Sequence, residues 1–260
     1  MMRICNSALQ GLIHGNSCQI PDVQTGAASL VITGPPYFPE GIEKQLLDGI
    51  SLGMDTQDLV NKTTDFAWSL RSAFEECFRV SAPGAHLVVQ TRDVRLRDRL
   101  VSVEAIHREL AEVSGFRLFT RHIWTSQHFT LARRRLFNSL LKSHGPCPND
   151  PEIFLVFVKP GTPIMGDPTD ADIELLQLSI MRTSMGKVPE RHRHQSPVPV
   201  VDAFIRTYTK AGDLVIDPFA GGGTILLRAL NLGRSAFGIE INSETFSLAQ
   251  RNLSNGNTHD

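Results

Sequence analysis

Short apolar runs alternate along the chain with segments whose apolar residues recur at helical spacing. This alternation is typical of an α/β fold, in which helices connect the strands of a mainly parallel sheet. The apolar runs predict seven strands, at residues 3–5, 29–32, 86–90, 117–124, 152–159, 214–216 and 236–239.

Three stripes of apolar residues at helical spacing lie between these strands and predict connecting helices. The first comprises Phe66, Leu70, Phe74, Cys77 and Phe78, the second Leu100, Val103, Ile106, Leu110 and Val113, and the third Val200, Phe204 and Tyr208. The Pro83-Gly84 pair after the first stripe predicts a turn into the strand at 86–90.

Two stretches, 125–151 and 161–199, lack both periodicities and are longer than the loops of most compact domains. The first carries the basic run Arg133-Arg134-Arg135, and the second contains Arg191-His192-Arg193-His194. These stretches form either a recognition face or solvated loops with some local helix, and the sequence leaves both interpretations open.

The composition is that of an ordinary globular protein of 260 residues, with 41% hydrophobic residues, 20% charged residues and a net charge of -1. Four scattered cysteines form no C-x-x-C pair, which argues against a zinc or redox motif and fits a reducing cytoplasm. The nine histidines show no ligand spacing, so we expect no metal site. We expect no membrane span, because no run of about 18 apolar residues occurs.

A glycine-rich turn, Asp217-Pro218-Phe219-Ala220-Gly221-Gly222-Gly223-Thr224, follows the strand at 214–216 and precedes an apolar helical stretch. Glycines let the backbone approach a ligand closely because no Cβ intervenes, and Thr224 is placed to cap the helix. Glu240 ends the next strand, where an acidic side chain accepts hydrogen bonds from both hydroxyls of a ribose. The turn has neither the G-x-G-x-x-G pattern nor the Lys-Ser/Thr of a P-loop. A nucleoside without phosphates fits better, which points to S-adenosylmethionine.

A second motif, Thr33-Gly34-Pro35-Pro36-Tyr37, follows the strand at 29–32. Its prolines fix their φ angles and lack N–H donors, so the carbonyls around them are held in place. Tyr37 offers a flat face for stacking on a planar group. A base turned out of a nucleic-acid duplex requires both an edge contact and a stacking wall. Either motif alone occurs in ordinary turns, but the pair is specific.

The pair resembles the motifs of the DNA amino-methyltransferase family, in the permuted β-type order in which the catalytic motif precedes the cofactor motif. Residues 33–37 are similar to its Ser/Asp/Asn-Pro-Pro-Tyr motif and residues 217–224 to its Asp-Pro-Phe-x-Gly-x-Gly-Thr motif. Residues 195–199, Gln-Ser-Pro-Val-Pro, resemble the segment that closes over the methionine part of the cofactor. The resemblance implies a doubly wound, seven-stranded, mostly parallel, circularly permuted Rossmann-like sheet of the class I methyltransferases. Strands 117–124 and 152–159 would be its final pair, one of them antiparallel.

The family implies methyl transfer from S-adenosylmethionine to an exocyclic amino group of a flipped base in duplex DNA, by direct displacement and without a metal. The catalytic residues would be Thr33, Gly34, Pro35, Pro36 and Tyr37. The cofactor-binding residues would be Asp217, Pro218, Phe219, Gly221, Gly223, Thr224, Glu240, Ile241, Asn242, Ser196 and Pro197. We expect the enzyme to act in the cytoplasm of a bacterium or archaeon, or to be encoded by a phage. A restriction-modification system is one setting in which such an enzyme would work.

Gly34 departs from the family pattern, which has Ser, Asp or Asn at that position. That side chain would accept a hydrogen bond from the target amino group. The Pro35 carbonyl, the Gly34 carbonyl or the Thr33 hydroxyl would have to substitute for it here. The Thr-x-Pro-Pro-Tyr form is closer to the cytosine-N4 members, so cytosine N4 is slightly favoured over adenine N6.

We treat residues 1–260 as a single catalytic domain, with 160–195 as a small candidate target-recognition insert. DNA phosphates would be bound by Arg133, Arg134, Arg135, Arg191 and Arg193. A second basic group, Arg92, Arg95, Arg97 and Arg99, is interpreted as a solvated helix face, with phosphate contact as the alternative.

Two other functions stay open. One is methylation of RNA or of a protein amide, because Pro-Pro-Tyr motifs serve planar amide and amino groups alike. The other is a catalytically impaired, nucleic-acid-binding partner subunit of a methyltransferase. The departure from the family pattern at Gly34 suggests this alternative. A nicotinamide-dependent enzyme is disfavoured by the missing pyrophosphate-binding pattern. A homodimer or an assembly with a second subunit is left open.

Overall fold

The computed structural model describes residues 9–38, 55–96, 99–126, 151–190 and 195–256. Ten strands lie within these ranges: β1 (Leu9–His14), β2 (Ala28–Thr33), β3 (Ser81–Thr91), β4 (Val94–Leu96), β5 (Arg99–Val101), β6 (Arg117–Ser126), β7 (Glu152–Val158), β8 (Ile180–Thr183), β9 (Leu214–Asp217) and β10 (Ser235–Glu240). The same ranges contain seven helices: α1 (Thr56–Ser69), α2 (Arg71–Val80), α3 (Val103–Val113), α4 (Asp170–Leu176), α5 (Val198–Tyr208), α6 (Thr224–Asn231) and α7 (Ser243–Gly256). None of these helices is long and apolar enough to span a membrane.

Eight of the strands form one sheet in the order β1-β10-β9-β2-β3-β7-β6-β8. Neighbours are parallel except at β7, which is antiparallel to both β3 and β6. The predicted α/β class is confirmed, as is the β6–β7 pair with one antiparallel member. The predicted strand count is wrong, because β8 adds an eighth strand outside β6. Strand β8 has only four residues and lies in a polar stretch, so the sequence shows no strand periodicity there.

Helices cover both faces of the sheet, which makes the fold doubly wound as expected. One face packs against α5, α6 and α7 around Phe204 and Leu226, and the other packs against α2 and α3 around Phe74 and Leu110. The central strands are apolar on both sides because both of their faces are covered.

Two predicted helical stripes differ in detail from the structure. The first is divided at Leu70, which ends α1 before α2 begins at Arg71. The second begins only at Val103, because Leu100 lies in β5 and is 48% exposed. The predicted turn at Pro83-Gly84 lies inside β3, which begins at Ser81. The third stripe is confirmed as α5.

Part of the stretch predicted to be irregular is folded into the domain. Residues 161–190 contain α4 and β8, and Asp172 of α4 accepts two hydrogen bonds from the Arg206 guanidinium of α5 at 2.6 and 2.7 Å. The interpretation of the basic group around Arg92 as a helix face is wrong, because β4 and β5 pair there as an antiparallel hairpin. The predicted strand at 3–5 and the arginines of 133–135 and 191–193 lie outside the described residues.

Candidate active site

Strands β2 and β9 are neighbours from which the chain leaves in opposite directions. From β9 it passes through α6 to β10, and from β2 it passes through α1 and α2 to β3, on the other side. Such a reversal opens a crevice at the C-terminal ends of the parallel strands, where α/β proteins bind ligands. The motif of residues 33–37 follows β2 and the glycine turn follows β9, so both lie at this crevice.

A buried hydrogen bond joins the two motifs. The Thr33 hydroxyl donates to Asp217 Oδ1 at 2.6 Å, and the two residues are 1% and 2% exposed. The Phe219 amide donates to the same oxygen at 3.1 Å. Burial raises the pKa of Asp217 to about 7, although these two hydrogen bonds act in the opposite direction. Thr33 and Asp217 therefore hold the two loops together from inside the protein.

The glycine turn needs its glycines at two positions. Gly221 and Gly223 have positive φ angles of 53° and 79°, which favour residues without a Cβ. A Cβ on Gly223 would also lie 3.2 Å from the Ala249 Cβ of α7. Gly223 itself is the residue before α6, whereas Thr224 is the first helical residue, and the helix has no side-chain cap. The predicted capping role of Thr224 is therefore wrong.

The Glu240 carboxylate lies against the glycine turn. One of its oxygens accepts from the Gly221 amide and the other from the Asn242 amide, both at 2.8 Å. Each oxygen retains a further lone pair for a ligand hydroxyl. Ile241 follows directly with an apolar side chain that is 65% exposed. A carboxylate beside an exposed apolar side chain suits the ribose and the flat base of a nucleoside.

The turn after β1 forms a third wall of this region that the sequence analysis missed. The Ser17 hydroxyl donates to the Pro218 carbonyl, and the Gly15 amide donates to the Glu240 carbonyl at 3.0 Å. The Gly-Asn-Ser turn of residues 15–17 directly after an apolar run was the available signal. No strand was predicted at residues 9–14, so this signal was not used. Asn242 caps α7, since its Oδ1 accepts from the Thr245 amide at 3.0 Å, and its contact with a cofactor stays a prediction.

Asn252 of α7 connects the glycine turn to the chain that leads toward Ser196 and Pro197. Its Nδ2 donates to the Gly222 carbonyl at 2.8 Å and to the Glu190 carbonyl at 3.0 Å. Its Oδ1 accepts from the Glu190 amide at 2.7 Å. Ser196 and Pro197 lie at the beginning of α5, and Ser196 is buried. Their approach to a cofactor stays a prediction.

The Pro-Pro-Tyr loop ends beside a small polar cluster. The Tyr37 hydroxyl donates to Glu152 Oε2 at 3.1 Å, and Gln90 Nε2 donates to the same oxygen at 3.4 Å. The Arg92 guanidinium carbon lies 5.0 Å from the centre of the Tyr37 ring. Neither Gln90 nor Glu152 was predicted. Glu152 begins β7, and because β7 is antiparallel to β3, its first residue reaches the edge where β3 ends.

Within the part of the chain that the structure describes, no three His, Cys, Asp or Glu side chains are grouped as metal ligands would be. The site is built from two loops that follow β2 and β9, the buried Asp217 carboxylate between them, and the Glu240 carboxylate at the end of β10.

Comparison with known proteins agrees with this arrangement. The model of the N6/N4 DNA methylase family matches residues 28–251, a span that includes both loops. The chain belongs to this family. The predicted resemblance is therefore confirmed over most of the chain.

This DNA methylase is similar to a type II methyltransferase, M.MthZI of Methanothermobacter thermautotrophicus, with 23% identity over 87% of the chain and 71% of the relative. Further relatives match over shorter segments, 20–26% of their own length.

Among solved structures, TTHA0409 of Thermus thermophilus in complex with S-adenosyl-L-methionine has a TM-score of 0.67 and 21% identity, over 96% of this chain and 95% of the other. The cytosine-N4-specific PvuII DNA methyltransferase has a TM-score of 0.70 and 16% identity, over 96% and 86%. These similarities show that the DNA methylase has the class I methyltransferase fold.

Proposed function

We propose that this DNA methylase transfers a methyl group from S-adenosylmethionine to an exocyclic amino group of a base in duplex DNA. The observation that best supports this proposal is the hydrogen bond from Thr33 to Asp217, which holds the Pro-Pro-Tyr loop beside the glycine turn. Membership of the family supports the reaction class, and the S-adenosyl-L-methionine complex of TTHA0409 supports the cofactor.

The residues of the glycine turn fit this cofactor. Glu240 would bind the ribose hydroxyls, Ile241 would pack on the adenine, and the turn itself would approach the ligand through backbone. Both amide atoms of Gln195 are buried and make no hydrogen bond within the described chain, so this side chain has polar capacity for a ligand. It lies next to Ser196 and Pro197, which are proposed to cover the methionine end. When bound, S-adenosylmethionine supplies an electrophilic methyl group on a sulfonium sulfur, which keeps the electron pair of the broken bond.

The Pro-Pro-Tyr loop would bind the target base. An exocyclic amino nitrogen is a poor nucleophile because its lone pair is delocalised into the ring. Acceptors around Gly34 and Pro35 would bind its hydrogens and favour a pyramidal nitrogen, a charge pattern that develops mainly in the transition state. Tyr37, held by Glu152, would orient the flipped base, and orientation of this kind lowers a reaction barrier. The Thr33 hydroxyl is committed to Asp217 and is therefore assigned to loop positioning.

Cytosine N4 is the proposed target, because the Thr-x-Pro-Pro-Tyr form resembles the cytosine-N4 members of the family. We propose that the DNA is contacted by the candidate insert at 160–195 and by Arg133, Arg134, Arg135, Arg191 and Arg193.

The second candidate function is a catalytically impaired partner subunit, which the departure from the family pattern at Gly34 suggests. The retained contacts of Asp217 and Glu240 favour an enzyme, since a subunit without chemistry has little need of a cofactor site.

The base is tested by digesting methylated duplex DNA to nucleosides and analysing them by mass spectrometry. N4-methylcytosine supports the proposal, whereas N6-methyladenine alone contradicts the choice of cytosine.

The cofactor site is tested by calorimetric titration of S-adenosylmethionine. Glu240→Gln should weaken binding about tenfold through lost charge-assisted hydrogen bonds. The exposed Glu244→Gln in the same region is the matched control and should bind as the wild type does.

A further inference from the structure

The position of Gly34 has room for a side chain that this chain lacks. Its backbone does not have the positive φ that requires glycine, and a Cβ there would meet nothing closer than 3.9 Å. The atoms at that distance are the Cβ and the carbonyl oxygen of Gln90. Gln90 is thus the side chain adjacent to the place where the family has a hydrogen-bond acceptor.

Gln90 contains an acceptor without a partner. It is 6% exposed, and its Oε1 accepts no hydrogen bond within the described ranges. A buried acceptor left in this state is unfavourable, so a ligand that donates to it offsets that cost. Gln90 lies near the C-terminal end of β3, at the edge of the sheet where the Pro-Pro-Tyr loop begins.

Glu152 fixes the orientation of the Gln90 amide. An ionised carboxylate only accepts hydrogen bonds, so the NH2 of the amide must face it, as it does at 3.4 Å. The amide oxygen is then the atom left for another donor. The same Glu152 oxygen accepts the Tyr37 hydroxyl at 3.1 Å, so one carboxylate holds both the amide and the aromatic ring.

We propose that Gln90 Oε1 accepts a hydrogen bond from the target amino group and replaces the side chain missing at Gly34, with Glu152 as the positioning residue. The inference rests on the proposed function, since it needs a base with an exocyclic amino group in the site. The acceptor comes from the strand beside the loop rather than from the loop itself.

The test compares Gln90→Met, which keeps the length of the side chain but has no amide, with the wild type and with Gln90→Met/Gly34→Asn. Single-turnover methylation of duplex DNA is measured at saturating cofactor. Gln90→Met should lower the rate about 10- to 100-fold, the scale for one transition-state hydrogen bond. The Kd values for cofactor and DNA should change less than about twofold, because the bond strengthens mainly in the transition state. Gly34→Asn should restore about tenfold or more of the rate, since it supplies an acceptor at the family's position.

His86→Leu is the matched control, because His86 lies on the same face of the same strand about 13 Å from Gln90. It should leave the rate unchanged. If thermal unfolding shows that Gln90→Met does not fold, Gln90→Asn is measured instead; it keeps the amide on a shorter side chain and should lose rate and be restored by Gly34→Asn.

Glu152→Gln tests the positioning role. It should lower the rate less than Gln90→Met does, and its effect should shrink in the Gln90→Met background, because coupled residues are not additive. Additive losses would contradict positioning through Gln90.

If the wild-type enzyme methylates DNA and the Gln90→Met variant does so at an equal rate, this inference is overturned and the proposed function stays intact. A loss that Gly34→Asn does not restore, or that His86→Leu shares, also overturns it. A wild-type protein that yields no methylated nucleoside removes the proposed function and this inference with it.

Discussion

The Thr33 hydroxyl and the Asp217 carboxylate are hydrogen-bonded at 2.6 Å although 184 positions separate them in the sequence. Because both residues are buried, this contact is shielded from water. It joins the loop proposed to bind the target base to the turn proposed to bind the cofactor. The permuted order of the two motifs along the chain therefore does not separate them in space, and the relative position of the two loops depends on this pair.

Replacing Thr33 tests how far the two loops depend on this bond. Thr33→Val keeps the shape of the side chain but removes the donor, so the free energy of unfolding should fall by about 1–2 kcal/mol. Binding of S-adenosylmethionine should weaken at the same time. Urea unfolding and calorimetry measure the two effects. Thr33→Ser retains the hydroxyl and is the control; a Thr33→Val variant as stable as Thr33→Ser would contradict the role given to this bond.

Asp217 should make stability depend on pH. Burial raises its folded-state pKa from 3.8 to about 7, so between these values the folded state holds a proton that the unfolded state has lost. The contribution of Asp217 to the free energy of unfolding is therefore largest below pH about 4 and falls as pH rises toward 7, by up to about 1.4 kcal/mol per pH unit. Asp217→Asn should gain stability relative to the wild type across this window. Urea unfolding at several pH values measures the difference, and parallel curves would rule the effect out.

Tyr37 should act on the substrate rather than on the cofactor. Tyr37→Ala removes both the ring and the bond to Glu152, so methyl transfer should fall about 100-fold or more through lost orientation, while the cofactor Kd changes little. Tyr37→Phe keeps the ring and loses only the hydroxyl, so its loss should be much smaller. Single-turnover rates and cofactor titration separate the two effects. Equal losses of transfer and cofactor binding in Tyr37→Ala would refute this assignment.

Gly238 allows α6 to approach β10 beneath the cofactor turn. A Cβ on Gly238 would lie 2.5 Å from Leu226 Cδ1 and 3.2 Å from the Ala220 Cβ, so Gly238→Ala should lower the free energy of unfolding by about 1–3 kcal/mol through overpacking. Gly34→Ala has 3.9 Å of clearance and should change it by less than about 0.5 kcal/mol. Thermal unfolding of the pair decides the matter, and equal stability of the two variants would disprove the packing argument.

The sequence predicted the features that depend on local patterns. Central strands such as β2 and β9 are continuous apolar runs followed by glycine or proline, and their boundaries were predicted within one residue. The sequence analysis placed each of the two loops directly after a predicted strand, and the C-terminal ends of parallel strands meet at one edge of a sheet.

Two site residues that depend on the pairing of distant strands, Gln90 and Glu152, were not predicted. Glu152 reaches the site only because β7 runs antiparallel to β3, and no local signal indicates that direction. Gln90 looked like the end of an apolar strand, and its unpartnered oxygen is visible only once its neighbours are known. Thr224 was expected to cap α6 from its residue type, but Gly223, with a positive φ, is the residue before the helix and Thr224 is its first residue.

The most direct test incubates the purified protein with labelled S-adenosylmethionine and, in parallel, with unmodified duplex DNA, single-stranded DNA, RNA and a protein extract. The label is followed into each polymer, and the labelled DNA is digested to nucleosides. The account predicts label in duplex DNA, carried on an exocyclic amino nitrogen. Label confined to RNA or protein would contradict the substrate, and cofactor binding without any transfer would contradict the enzyme in favour of a partner subunit.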